Sequence, residues 1–283
     1  MNIQKQQFFN LLILSVLGIT YSNFYLLYYE GILLLLFTLF ISYFIEKEVN
    51  KNISFSALVT TIGIWLMMVS IHLWVYFIII FFALLQKKYL KIDHKPIFNP
   101  SNFALVFGLF FYYDDAHIVL GQLGNEWWLM GVLILMAGGI LIRVNRWFIS
   151  LSFTLFYLFF QYFLIVDYDS LMLIEDIGYR FYSISFVLFI LFMLTDPKTT
   201  PNRLWNQAIF TFFIALLTTL LDRYYGFRVQ HVFLSLFFFS LFVPLLTSYS
   251  KRVFLETFFI AFIAIVVIII IENRVPYYFS MNG

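Results

Sequence analysis

Two short stretches gather the residue types that could do chemistry. The first is "KPIFNPSNFALVFG", residues 95–108, and the second is "LFMLTDPKTTPNRLWNQ", residues 191–207. In the first, Pro96 and Pro100 flank Phe98-Asn99. Asn99 precedes a proline and so avoids the right-handed helical region, and Ser101 or Asn102 can cap the helix that follows. The result is a stiff, unwound approach to a helix N-terminus, whose free N–H groups and dipole favour an anion. In the second, Asp196 precedes Pro197, Thr199 and Thr200 offer hydroxyls, Pro201 suits a first helical turn, and Arg203 supplies a fixed cation. Asn99, Ser101, Asn102, Asp196, Thr199, Thr200 and Arg203 are therefore the candidate binding residues. In that reading the helix N–H groups and Arg203 stabilise an anionic or reduced cofactor while Asp196 orients the break. The plain alternative is a pair of rigid turns that only end helices. The sequence holds no nucleophile–base pair, Gly-rich phosphate loop or carboxylate dyad, so it defines no self-contained catalytic site.

The elements that must position these residues lie in a membrane. Of 283 residues, 63% are hydrophobic, 23% aromatic and 11% charged, against about a quarter charged in a soluble domain. Apolar runs recur near 8–28, 31–45, 53–85, 98–113, 127–142, 147–166, 181–194, 204–221, 230–247 and 253–271. That pattern predicts an all-α, polytopic membrane protein of about ten helices in a single domain, with approximate halves 1–126 and 127–283. The run 53–85 is too long for one straight crossing, so it is bent, strongly tilted, or two short crossings joined near Ser70–His72. Lipid cannot satisfy the backbone at a helix break, so both proline-rich stretches must be buried in protein or line a polar cavity. Two interrupted segments, one in each half, point to a central site built from broken helices.

Charge placement narrows the function. Basic loops at 86–96, 143–146, 195–203 and 248–252 read as cytoplasmic, alternating with acidic or mixed loops on the other side. All 15 Asp and Glu and all 17 Lys and Arg fall in loops or at segment ends, with Glu256 in the first turn of the last run the nearest exception, which predicts an interior without buried charge. His72 and His231 lie in or beside apolar runs and read as hydrogen-bonded helix-interface residues. With no Cys at all, a disulfide framework and a cysteine-ligated iron–sulfur cluster are excluded within this chain. A formal charge of +2, spread over orientation-setting loops, gives no support to nucleic-acid binding.

The stretches "KPIFNPSNF" at 95–103, "GQLGNEWW" at 121–128 and "FMLTDPKTTPNR" at 192–203, in that order, resemble a known family. It comprises the membrane subunits B and D of the sodium-pumping NADH:quinone oxidoreductase and of the Rnf electron-transport complex. The resemblance covers roughly residues 80–250 and is closest to short stand-alone relatives. It implies a ten-helix, urea-transporter-like fold of two related halves, residence in the bacterial inner membrane, and electron movement through flavins beside other redox subunits or quinone. Members with covalent FMN attach it to the Thr of a Ser/Asp-Gly-Ala-Thr stretch, which this chain lacks. Covalent FMN is therefore not expected, and noncovalent riboflavin or FMN, or a quinone, stays open. The rival expectations are a small-solute channel or transporter on the same architecture, which a charge-free interior would suit, and a non-catalytic assembly subunit.

Overall fold

A computed structural model of the chain describes residues 3–21, 28–45, 53–92, 95–119, 127–167, 173–247 and 251–274. Its helices are α1 (Ile3–Tyr21), α2 (Tyr28–Ile45), α3 (Ile53–Met67), α4 (Leu73–Tyr89), α5 (Pro100–Phe111), α6 (Trp127–Val144), α7 (Trp147–Gln161), α8 (Ile174–Tyr182), α9 (Ile184–Leu188), α10 (Leu204–Tyr225), α11 (Gln230–Ser240), α12 (Val243–Thr247) and α13 (Lys251–Arg274). Among the described residues, five helices are long and apolar enough to cross a membrane, or six if the pair Ile174–Tyr182 and Ile184–Met193, bent by 74°, forms one span. Shorter apolar helices include Phe55–Met67, Pro100–Phe111 and Gln230–Ser240. The chain is an all-α, multi-pass membrane protein.

The long run 53–85 is broken near its predicted joint at Ser70–His72. α3 stops at Met67, and α4 starts at Leu73. Between them β1 (Met68–Ser70) pairs antiparallel with β4 (Ala116–Ile118), with Val69 opposite His117. The ladder satisfies backbone groups that the helix break frees. A second two-residue ribbon, β2 (Lys91–Ile92) with β3 (Lys95–Pro96), leads the chain into α5. Two segments end in π turns, Tyr162–Val166 after α7 and Phe189–Met193 after α9. The "GQLGNE" part of the second resembling stretch lies outside the described residues.

Close approach is set by small residues. A Cβ on Gly31 would meet the Trp65 ring at 2.6 Å, so α2 lies directly on α3 there. The same pair shares a hydroxyl contact between Thr38 and Thr61 at 2.5 Å. One core cluster runs through Leu34, Ile62, Ile79, Phe153, Phe189 and Phe233. A second joins α5, α10, α11 and α13 through Val106, Leu221, Leu234 and Ala264. α13 leaves Leu255, Phe258, Phe259 and Phe262 each more than 60% exposed, the surface expected to face acyl chains.

Candidate functional site

The two breaks meet. Asn99 is the N-cap of α5, extended at φ −59, ψ 125, and its Oδ1 accepts from the N–H groups of Ser101 and Asn102 at 3.0 and 3.2 Å. Its Nδ2 donates to Asp196 Oδ2 at 3.2 Å and to the Met193 carbonyl at 3.4 Å, 97 and 94 residues away. The Phe103 N–H donates to the Asn99 carbonyl at 2.9 Å, and Pro100 has no N–H. The α5 N-terminus therefore differs from its sequence-based expectation. Its backbone donors are consumed by its own cap, so its field, but not a free row of N–H groups, faces the junction.

The rest of that first turn ties neighbouring elements together. Ser101 Oγ donates to the Thr60 carbonyl on α3 at 3.2 Å, and Asn102 Nδ2 donates to the Phe233 carbonyl on α11 at 3.1 Å. α3 can come this near because residue 63 is glycine; a Cβ there would sit 3.0 Å from Ser101 Oγ.

On the other break, Asp196 Oδ1 accepts from the Lys198 N–H at 3.0 Å, and its carbonyl accepts from the Thr200 hydroxyl at 2.7 Å and the Thr199 N–H at 3.2 Å. Thr200 Oγ1 in turn accepts from Arg146 Nε at 3.1 Å, and Arg146 also donates to Asn202 Oδ1 at 2.5 Å. Asn145, at φ 53, makes the tight turn that delivers Arg146 into this position. Burial raises the Asp196 carboxyl above the usual carboxylate range, against the downward pull of Lys198, Lys87 and Arg146. Burial also lowers the Arg146 guanidinium, with Asp196 opposing.

Six of the seven candidate residues thus converge. Arg203 does not: it is exposed and forms only the backbone start of α10. The buried cation is Arg146, 5% exposed. Its loop, "RVNR", reads from sequence only as an orientation signal. Two cavities flank the junction, sharing Pro96 and Lys198 as a wall. One of about 110 Å³ is lined by Lys87, Asn99, Ser101 and Asp196. The other, of about 190 Å³, is lined by Lys95, Thr199 and Thr200.

A second polar centre lies at the opposite end of α10, about 33 Å along a 22-residue helix. Gly226, at φ 85, turns the chain after α10, and the Arg228 N–H returns to Asp222 Oδ1 at 3.3 Å. Arg180 grips Asp222 through both oxygens at 3.0 Å each, and also donates to Tyr157 Oη at 2.7 Å and to the Arg228 carbonyl at 3.0 Å. His231 Nδ1 lies 2.6 Å from Asp222 Oδ1, and its Nε2 lies 3.3 Å from Glu272 Oε2. Arg228 and Gln230 bind Glu272 at 2.9 and 2.6 Å. The side chains of Asp222, His231 and Glu272 are fully buried.

This corrects the expected charge-free interior. Each residue does sit at a segment end, but the ends fold over one another and bury their charges as a group. The same finding removes the argument that favoured a passive solute channel. His231 is the hydrogen-bonded helix-interface residue expected, and its two partners are carboxylates. Among the described residues, no three His, Asp or Glu side chains converge to hold a metal ion.

A multi-pass helical membrane protein with two proline-bearing breaks sewn together in its interior is the class that fold and site define. The sequence matches the NQR2, RnfD, RnfE family over residues 6–255, and the chain belongs to that family. It is accordingly a membrane subunit of the NQR and Rnf type. No curated protein matches it.

Proposed function

We propose that the chain is the membrane scaffold of an NQR- or Rnf-like electron-transport system in the bacterial inner membrane, and that its break junction meets a noncovalent flavin, riboflavin or FMN, held jointly with a redox partner subunit. The fold we propose behind it is the ten-helix, two-halved, urea-transporter-like arrangement. The observation that carries the reading is the Asn99–Asp196 bridge. It fixes two breaks from distant parts of the chain into one junction, beside a cleft lined by Lys87, whose amine donates to Ser56 Oγ at 3.0 Å, and by Lys198.

The residues present fit part of a flavin. Two ammonium groups and the positive end of α5 complement a phosphate or the electron-rich edge of a reduced ring. The room of about 110 Å³ is well below the roughly 300–1,000 Å³ of a site that encloses a small molecule. This chain therefore grips an edge, and a partner covers the rest. Bound there, the flavin supplies one- and two-electron transfer; Lys87 and Lys198 bind it, and Asn99 and Asp196 hold the walls in register.

The test is to isolate the protein with its partner subunits in mild detergent, record the visible spectrum, then denature and assay released flavin. Noncovalent flavin is expected, reduced at least tenfold in a Lys87→Glu/Lys198→Glu variant that still assembles. Flavin absent from the folded complex, or retained fully by that variant, would overturn the assignment.

A further inference from the structure

The buried centre around His231 has a geometry that constrains its proton count. Asp222 Oδ1 receives Arg180 and the Arg228 N–H and faces His231 Nδ1; its Oδ2 receives Arg180 and Gln161, the latter at 2.7 Å. Glu272 Oε1 receives Gln230, and Oε2 receives Arg228 and faces His231 Nε2. Leaving the imidazole aside, every one of these oxygens accepts from at least one donor and each carboxylate faces an arginine, which favours the ionised form of both. Both ring nitrogens of His231 then face carboxylate oxygens. A neutral imidazole has one N–H and one bare nitrogen, and the bare nitrogen would point its lone pair at an anion.

Charge balance agrees. Arg180 and Arg228 offset Asp222 and Glu272, so any net charge at this centre belongs to the imidazole. The other polar groups about it are Tyr157 and Gln161 from the α7 segment and Gln230 of α11, with Tyr113, from the turn after α5, near Arg228 and Glu272. None of these is a carboxylate or amine that would alter the count.

We propose that His231 is a proton-binding site within the membrane domain: an imidazolium clamped between Asp222 of α10 and Glu272 of α13, whose proton fastens α13 to α11. When it is given up, the Nε2–H bond breaks and the proton passes to water or a buffer base. Nδ1–H stays on Asp222, and the Nε2–Glu272 contact turns repulsive. Arg228 and Gln230 then hold Glu272 alone. A fully buried ionisable group at the end of membrane helices is costly to keep without a use, and this one can take up or yield one positive charge where α10, α11 and α13 join. The proposal does not rest on the flavin reading, since it concerns the opposite end of α10.

The experiment is ¹⁵N NMR on histidine-labelled protein in nanodiscs at pH 7. The signal of His231 is identified by its loss in His231→Gln, leaving His72, His94 and His117. Two protonated ring nitrogens are expected for His231, where an unperturbed histidine, pKa about 6.5, is mostly neutral. Glu272→Gln, whose amide can donate to a bare Nε2, is expected to leave one protonated nitrogen. It should also flatten the fall in thermal midpoint that the wild type shows as pH rises from 6 to 9. A single protonated nitrogen in the wild type, or equal pH profiles in both proteins, would overturn the proposal. If Glu272→Gln does not fold, the wild-type spectrum decides alone.

Discussion

Replacing Arg180 with Met tests whether the buried ion cluster holds the helices together. Arg180 is 4% exposed. It makes two bonds to Asp222, one to Tyr157 and one to the Arg228 carbonyl, and its guanidinium lies 3.4 Å over the Phe227 ring. Met fills much the same volume but leaves Asp222 charged, fully buried and short of its bidentate partner. Removing one member of a buried ion pair typically costs about 3–5 kcal/mol. A neutral interhelical hydrogen bond in a membrane protein is worth roughly 0.6 kcal/mol and at most about 1.7. The two outcomes are far enough apart to decide. In detergent, thermal inactivation followed by size-exclusion of the surviving fold should show Arg180→Met melting roughly 10 °C below wild type, taking 2–4 °C per kcal/mol. Adding Asp222→Leu should restore part of the loss, because the uncompensated anion is gone. A single variant within about 1.7 kcal/mol of wild type, or a double variant worse than the sum of its parts, would refute the view that these charges act as one unit.

Two further expectations concern the break junction. Gly63→Ala places a methyl 3.0 Å from Ser101 Oγ. It should cost about 1–3 kcal/mol from overpacking, with partial recovery on adding Ser101→Ala; thermal midpoints of the two variants check this, and a neutral Gly63→Ala would show that α3 and α5 can separate freely. Arg146→Ala should cost about 2 kcal/mol through its charge-assisted bonds to Thr200 and Asn202, while Arg203→Ala, at an exposed position, should stay within about 0.5 kcal/mol. The same melting assay ranks the pair, and the reverse order would return the cation of this site to Arg203.

Why one centre could be read from the chain and the other could not follows from where their information lies. The α5 break is written locally. Asn99 before Pro100 must be extended, and a capping Asn has its partners two and three residues on, so its role needs no knowledge of the fold. The Asp-Pro turn at 196 is as local, with Lys198 N–H two residues away. Their meeting was suggested only because lipid tolerates no exposed break. What local reasoning missed is that a cap which succeeds also uses up the N–H groups it was expected to offer, and that Arg146, 54 residues from Thr200, takes the cationic role given to Arg203. The second centre has no local signature. Arg180 and Asp222 are 42 residues apart, and His231 and Glu272 are 41. Each sits where a helix meets a loop, and sequence position there is the same for a solvated charge and a buried one. What distinguishes them is complementarity: the "DIGYR" and "LDRYYGFR" segments carry the cations and anion that cancel, and the last helix carries Glu272 in its final turn. A chain with 11% charged residues retains few charges without reason, so segment-end ions of opposite sign in such a chain are better read as mutual partners across the bundle than as contacts with water.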